Sequence, residues 1–268
     1  MPEISVIMGI YYNRLGLDYL EHSIQSIRNQ SFSDFELLIC DDGSSSEAKT
    51  YLDQLQLEDQ RIRLIRPGNA YDLAKKLNVC LKEARGMYIA RMDDDDFSRF
   101  DRFRRQLEFL KMNPQIAFVG CNVNLIRDDK QIGKQLFPAL PMVRDFFMVQ
   151  PFIHPTLMFR TQVLREVNGY SEKATTLLCE DYDLLLRLYY AGYQGANLQQ
   201  FLFDYTIPDS AKGRRTMRHR WNEVCTRFER FLELGQLPAA FPYVLKPLLV
   251  GMLPEKILYH IKEGRIRK

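Results

Sequence analysis

The sequence has 268 residues, of which 46% are hydrophobic and 26% are charged, a composition typical of a globular protein with a hydrophobic core. Its net charge of +3 excludes the strongly basic composition of a general nucleic-acid-binding protein, so we expect no nucleic-acid partner. The five cysteines are scattered without a CxxC motif, which favours free thiols in a reducing compartment over a disulfide framework.

The N-terminus, MPEISVIMGIYYN, lacks the basic segment followed by a long apolar stretch that marks a secretory signal. No run of about 18 or more apolar residues is present, so the sequence predicts no membrane span. We therefore expect a cytoplasmic protein.

The first half of the chain alternates between strand and helix patterns. The apolar runs Ile4 to Gly9 and Phe35 to Cys40 are typical of strands buried on both faces, and Leu17 to Ile27 places apolar residues at helical spacing. The alternation continues with helices near 47–57, 73–84 and 102–112 and strands near 62–65, 88–92 and 116–123. Repeated strand–helix units predict an α/β fold with a mainly parallel central sheet flanked by helices.

The pattern becomes less regular after Asp128, where prolines interrupt the chain. There the sequence predicts strands near 157–159, 193–198 and 201–205, and helices near 162–167, 182–191 and 214–234. We divide the chain into an α/β domain, residues 1–210, and a C-terminal helical extension, residues 211–268.

Four adjacent carboxylates, Asp93 to Asp96, follow the strand that ends near Met92. Because these like charges repel one another, a bound cation would offset a substantial cost. Mg²⁺ and Mn²⁺ prefer such oxygen ligands and are commonly held by one or two carboxylates together with substrate phosphates. A solvated acidic loop is the alternative, but ligands of α/β sheets gather at the carboxyl ends of strands, and this position favours a metal site.

A second carboxylate pair, Asp41 and Asp42, ends the strand Phe35 to Cys40. A carboxylate there can accept a hydrogen bond from a base or a ribose hydroxyl. The alternative is a helix N-cap formed by Asp42 or Ser44. The sequence contains neither GxGxxG nor GxxxxGK[ST], so it indicates neither a dinucleotide fingerprint nor a P-loop.

Five ordered motifs carry a family resemblance: SVIMGIYYN (5–13), SIRNQSFSDFELLICDDGSS (26–45), RGMYIARMDDDD (85–96), PFIHPTLMFR (151–160) and EDYDLLLRL (180–188). Together they resemble the family 2 inverting glycosyltransferases, and most closely the bacterial members that build surface polysaccharides. The resemblance implies a GT-A-type, Rossmann-like fold. It also implies a UDP-sugar as the donor.

The resemblance further implies a role for each matching residue at the donor. Asp42 would hydrogen-bond uracil, and Gly9, Tyr11 and Tyr12 would lie under the base. In the acidic cluster, Asp93 and Asp94 would face the ribose and diphosphate. Asp95, together with Asp93, would ligate Mn²⁺ or Mg²⁺. Family members usually have a neutral residue where this chain has Asp94, and they often have proline where it has Gly9.

Asp181 matches the general base of the family. An acceptor hydroxyl is a poor nucleophile unless a base removes its proton, an assistance of about 10²–10⁴-fold. The charge of Glu180 should raise the pKa of Asp181 and a helix N-terminus should lower it, and the sequence does not say which effect is larger. Helix capping by Glu180 and Asp181 is the alternative.

Two further polar residues lie in the matching motifs. We place His154 and Glu180 in the wall of the active site, with a packed, hydrogen-bonded histidine as the alternative for His154. Arg187 is expected to form a structural ion pair instead of touching substrate.

The C-terminal third is rich in cations. The stretch from Lys212 to Arg230 could contact donor phosphate or form a solvated helix face, and it lacks the QxxRW signature of processive members, so we expect single-sugar transfer. From Leu237 onward apolar residues alternate with Lys and Arg, as in segments that bind anionic membranes. The alternative is a tail that packs on the domain or mediates oligomerisation.

These observations and the resemblance together predict a metal-dependent transferase that acts on a glycan acceptor. The resemblance implies that the acceptor is lipid-linked and lies at the inner face of the cell membrane. One alternative is a sugar-phosphate nucleotidyltransferase, but the stretch after the first strand, Gly9 to Arg14, is too poor in glycine. The other is a non-catalytic basic protein that binds membrane surfaces or nucleic acid.

Overall fold

A computed structural model describes residues 1–14, 16–68, 72–207 and 216–253. The strands are β1 (Ile4–Ile10), β2 (Phe35–Asp41), β3 (Ile62–Ile65), β4 (Tyr88–Arg91), β5 (Phe97–Ser98), β6 (Ile116–Arg127), β7 (Lys130–Gln135), β8 (Met158–Arg160) and β9 (Gln194–Thr206). The α-helices are α1 (Asp18–Arg28), α2 (Ser46–Glu58), α3 (Leu73–Glu83), α4 (Arg102–Met112), α5 (Thr161–Glu166), α6 (Glu180–Tyr190), α7 (Met217–Glu233), α8 (Leu237–Val244) and α9 (Lys246–Met252). Short 3-10 helices occupy Val143–Phe146, His154–Thr156 and Ala174–Thr176.

The strands of the described residues form one sheet in the order β3-β2-β1-β4-β8-β6-β9-β5, with β7 beside β6. The first four strands in this order are parallel, and β6 pairs in parallel with β9. The remaining pairings are antiparallel: β8 runs against both β4 and β6, β7 runs against β6, and β5 runs against β9. The predicted α/β fold with a helix-flanked central sheet is confirmed, and its parallel part is concentrated in the N-terminal half.

Alternation along the buried strands produces two hydrophobic clusters, one on each face of the sheet. In β1, Val6 and Met8 face the cluster covered by α1, α2 and α4, whereas Ile7 faces the cluster covered by α3, α5, α6 and α7. All three side chains are fully buried. Full burial of each such side chain is worth about 1.5–3 kcal/mol, so packing on both faces contributes substantially to the stability of the sheet.

The structure differs from the sequence prediction in the second half. The two strands expected near 193–198 and 201–205 are one strand, β9, whose pairing with β6 shifts register beside Cys121 and Asn122. The β6–β7 hairpin was not predicted. Its turn places Asp128 and Asp129 at positive φ (48° and 57°), a conformation that aspartate tolerates better than most residues.

The C-terminal segment contains helices where its prolines suggested a broken tail. Pro238 and Pro247 lie in the first turns of α8 and α9, where the missing N–H costs nothing. The ring of Phe147 packs against Phe231 of α7 and Tyr243 of α8, at centroid distances of 5.1 and 5.7 Å. Within the described residues, no helix is both long and apolar enough to cross a membrane.

Candidate active site

The first cavity of interest opens where the parallel strands β1 and β4 end side by side. It has a volume of about 320 Å³ and is lined mainly by Tyr11, Tyr12, Arg14 and residues 93–95. The backbone of Tyr12 fixes the loop after β1 because its N–H donates to Ser44 Oγ (2.9 Å) and its carbonyl accepts from Ser45 N (2.9 Å). The sheet therefore brings the tyrosines and the acidic cluster together, as expected for strand ends.

A second cavity of about 590 Å³ lies beside the first. Its wall includes Arg91, His154, Glu180 and Asp181. Asp93 and Tyr205 line both cavities, so the carboxylates after β4 and the carboxylate at the start of α6 face adjoining spaces. No sequence pattern pointed to Tyr205.

The acidic cluster has the geometry of a cation site. Oxygens of Asp93, Asp95 and Asp96 lie within 4.8 Å of one another. Asp96 is 2% exposed and accepts a hydrogen bond from the N–H of Thr206 (2.8 Å). Burial, followed by the charges of Asp93 and Asp95, raises the pKa of Asp96 well above its usual range. Asp96 therefore suits a structural role, and of these three clustered carboxylates only Asp93 and Asp95 line the cavities.

Two arginines offset the repulsion within this cluster. Arg14 Nη2 lies 2.5 Å from Asp95 Oδ2, and the fully buried Arg91 forms an ion pair with Asp93. Even so, burial and the charges of Asp95 and Asp93 raise the pKa of Asp94 to about 7. Sequence reasoning missed both arginines, although each lies within or beside a motif that it had singled out.

The expected base site is only partly assembled around the cavity. Tyr11 is 65% exposed, but Tyr12 is 2% exposed, so of the two rings only that of Tyr11 is open to solvent. Asp42 is buried and does not line the cavity. The capping alternative for Asp42 and Ser44 is wrong, because Ser45 is the N-cap of α2 and accepts from Ala48 N.

A buried lysine explains the glycine in β1. A Cβ on Gly9 would lie 2.8 Å from Lys76 Cβ, closer than real Cβ contacts. Lys76 Nζ donates to the carbonyl of Ile10 (2.5 Å), and its burial lowers the pKa of the ammonium group, against the charges of nearby groups such as Asp42. Lys76 was not predicted, because a lysine on a helix usually points to solvent.

Asp181 lies in the first turn of α6. Its Oδ2 accepts from Gln150 Nε2 (3.0 Å) and its Oδ1 accepts from Tyr182 N (2.8 Å). The N-cap of α6 is Cys179, which makes no side-chain cap, and Asp181 instead accepts from an N–H of the first turn, so the capping alternative stays open beside the role of general base. Burial, and then the charge of Asp181, raise the pKa of Glu180 to about 7.

His154 is a packed, hydrogen-bonded residue that also lines the larger cavity. Its Nε2 lies 2.9 Å from the hydroxyl of Tyr170. Burial and the nearby Arg91 lower the pKa of His154 well below its usual value, so the imidazole is neutral. Both interpretations of this residue therefore describe it, and they are not exclusive.

Arg187 is structural, as predicted. Its guanidinium donates to Asp183 Oδ2 (2.7 Å) and to the carbonyls of Val167 and Gly169. Of the basic stretch 212–230, residues 212, 214 and 215 lie outside the described residues. Arg227 lines the larger cavity and pairs with Glu223, with Nη2 3.0 Å from Oε1.

Comparisons with known proteins give a consistent result. The chain is 32% identical over 264 residues to a putative glycosyltransferase EpsE of Bacillus subtilis, covering 97% of this chain and 94% of the relative. It is 27% identical over 236 residues to a UDP-Gal:alpha-D-GlcNAc-diphosphoundecaprenol beta-1,3-galactosyltransferase of Escherichia coli, covering 85% and 82% of the two chains.

Among solved structures, residues 1–349 of TarS from S. aureus, in complex with UDP-GlcNAc, share the fold. The TM-score is 0.71 at 16% identity, and the match covers 95% of this chain and 77% of the other. The family model described as Glycosyl transferase family 2 matches residues 5–167, which include the acidic cluster and every strand of the parallel half. The chain belongs to glycosyl transferase family 2.

Proposed function

We propose that this family 2 glycosyltransferase is an inverting, metal-dependent enzyme that transfers one sugar from a UDP-sugar to a hydroxyl of a lipid-linked glycan in bacterial surface-polysaccharide synthesis. The observation that carries the proposal is the shared wall of the two cavities. Asp93 belongs both to the cation cluster and to the cavity that Asp181 lines. A donor diphosphate on one side and an acceptor on the other would then meet beside the same residue.

The donor side fits a nucleoside diphosphate with a divalent cation. Asp93 and Asp95 would hold Mn²⁺ or Mg²⁺, and the ion would stabilise the negative charge of the departing diphosphate. Arg14, which now pairs with Asp95, lines the same cavity and can donate to phosphate oxygens. Lys76 binds the carbonyl of Ile10 at the end of β1, where the uracil and ribose are expected, and it lies near enough to Asp42 to be affected by its charge.

The acceptor side fits a one-step displacement. Asp181 is held by Gln150 on one oxygen, which orients the carboxylate at the cavity wall. There it can accept the proton of the acceptor hydroxyl as the oxygen attacks the anomeric carbon. Attack from the face opposite the leaving diphosphate inverts the anomeric configuration, as in inverting glycoside hydrolysis. The neutral His154 and the protonatable Glu180 complete this wall.

The division of labour along the chain is also a proposal. We assign donor and acceptor chemistry to residues 1–210. Residues 211–268 would bring the enzyme to the inner face of the cell membrane, where a lipid-linked acceptor is found. The Escherichia coli relative named above, whose acceptor is diphosphoundecaprenol-linked, supports such an acceptor for this chain.

A transfer assay with a panel of UDP- and GDP-sugars tests the proposal. Nucleotide release should require Mn²⁺ or Mg²⁺, should favour a UDP-sugar and should invert the anomeric centre, as read by NMR of the product. Full activity in excess chelator would contradict the metal role. A preference for a nucleoside triphosphate with sugar phosphate would favour the nucleotidyltransferase alternative.

A further inference from the structure

The long helix α7 carries apolar residues on its solvent face. Met217, Trp221, Phe228 and Leu232 are 52%, 56%, 44% and 57% exposed. Their spacing of four, seven and four residues places them on one stripe of the helix. Other residues of α7, such as Phe231, are buried and pack into the protein. A surface helix normally shows a polar face to water, so this stripe is suited to a partner outside the described fold.

A second stripe adjoins the first. Leu245, Leu249 and Met252 are exposed at spacings of four and three residues along α9. Helix α9 packs beside the start of α7. The approach is close, since a Cβ added to Gly251 would lie 2.9 Å from Met217 Sδ. We call the seven exposed side chains together the α7–α9 apolar face: Met217, Trp221, Phe228, Leu232, Leu245, Leu249 and Met252.

Charge indicates what covers this face. Residues 208–268 contain thirteen of the 37 Lys and Arg residues but only six of the 34 Asp and Glu residues, so this segment is basic and the rest of the chain is acidic. Lys212, Arg214 and Arg215 precede the Met217 end of α7, and a second basic segment, 254–268, follows α9. Because Gly251 lies beside Met217, both basic segments join the described chain near the same end of the face.

We propose that the α7–α9 apolar face docks on an anionic lipid membrane. Apolar and aromatic side chains would enter the boundary of headgroups and acyl chains, and the flanking cations would attract anionic lipids. Tryptophan favours this boundary because its ring is apolar and its N–H is polar. The inference rests on the proposed function only for the reason to dock, namely a lipid-linked acceptor.

The position of the face suits that acceptor. Glu223 and Arg227, on the inward side of α7, line the larger cavity, and so does Lys246 at the start of α9. Docking would therefore hold the cavity about one helix diameter, roughly 10–12 Å, from the lipid surface. The exposed Met148 and Val149 line the same cavity and lie beside Lys246, which donates to the carbonyl of Met148.

Trp221 makes the test direct because it is the only tryptophan in the chain. The full-length enzyme is mixed with vesicles of phosphatidylglycerol and phosphatidylcholine, and with vesicles of phosphatidylcholine alone. We expect the Trp221 emission to shift to shorter wavelength, and to be quenched by brominated lipid, only with the anionic vesicles. Vesicle binding without a change in Trp221 emission would overturn the proposal.

A matched pair of double variants distinguishes membrane binding by this face from nonspecific hydrophobic adsorption to vesicles. Phe228→Gln with Leu232→Gln should weaken vesicle partitioning about tenfold or more, because two apolar side chains are lost from the boundary. Leu57→Gln with Met112→Gln, at 85% and 76% exposed positions on α2 and α4, should leave it unchanged. Equal partitioning by both variants and the native enzyme would overturn the proposal.

Two other occupants give different results, and either would overturn the membrane proposal. If residues 254–268 cover the face, Trp221 emission is already short in wavelength without vesicles and shifts to longer wavelength on truncation after Leu253. If a second copy covers it, the emission depends on protein concentration. Transfer to a soluble acceptor should be unaffected in the Phe228→Gln, Leu232→Gln variant, so a failure here is distinguishable from a failure of the proposed function.

Discussion

The two cavities of the site are built in different ways. The smaller one, beside Asp93 to Asp95, is formed by loops that follow parallel strands, so its residues come from contiguous motifs. The larger one collects residues 148–155, 178–182 and one side of α7, which are distant in sequence and mostly irregular. Strand order positions most of the first cavity, to which β9 adds Tyr205 and Thr206, whereas long-range packing positions the second. We therefore expect changes in the first to affect nucleotide binding and changes in the second to affect transfer.

The largest expected effect belongs to the larger cavity. Asp181→Asn should keep metal-dependent UDP binding and lower kcat by about 10²–10⁴-fold, because the amide cannot accept the acceptor proton. Binding is measured by calorimetry and kcat by UDP release. Glu172→Gln, an exposed change on the loop before α6, is the control and should leave kcat unaltered. Retained activity of Asp181→Asn would remove this residue as the base.

The smaller cavity should respond differently. Asp95→Asn should weaken the effect of Mn²⁺ on UDP affinity and lower kcat/KM by about 10²–10³-fold, the usual loss when one electrostatic contact to developing charge is removed. The measurement is UDP titration with and without Mn²⁺. If Asp95→Asn binds UDP with the native dependence on Mn²⁺, the cation does not lie at Asp93 and Asp95, and the distinction between the cavities fails.

Sequence reasoning worked best where function follows from local pattern. Buried strands, their polar ends and the spacing of α1 were readable because each depends on neighbours in the chain. Gln150 and Tyr205 were missed because no local pattern distinguishes them, and only tertiary packing brings them to the site. The sequence predicted two strands where the structure has the single strand β9, because the register shift in β9 interrupts the alternation that marks a strand.

A glycine tests how tightly the floor of the smaller cavity is packed. Gly9→Ala should lower the free energy of unfolding by about 1–3 kcal/mol, the cost of overpacking a core, because the new methyl group meets Lys76 Cβ at 2.8 Å. Denaturant unfolding measures the loss, and UDP affinity should fall with it. An unchanged midpoint would show that Lys76 can move without cost, and the buried lysine would then not constrain the base site.

The last test concerns the pH dependence of the larger cavity. The pKa of Glu180 is raised to about 7 by burial and by Asp181, above its ordinary value of 4.5. The unfolded chain therefore ionises this carboxyl first, so native stability is full below about pH 4.5 and declines as the pH rises toward 7. Glu180→Gln removes the decline, because the amide does not ionise. The free energy of unfolding of this variant, taken relative to that of the native enzyme, should therefore be up to about 3 kcal/mol higher at pH 8 than at pH 4, at about 1.4 kcal/mol per pKa unit. Urea unfolding at several pH values measures it, with Glu172→Gln as the control. A difference that does not grow with pH would place the raised pKa elsewhere in the wall.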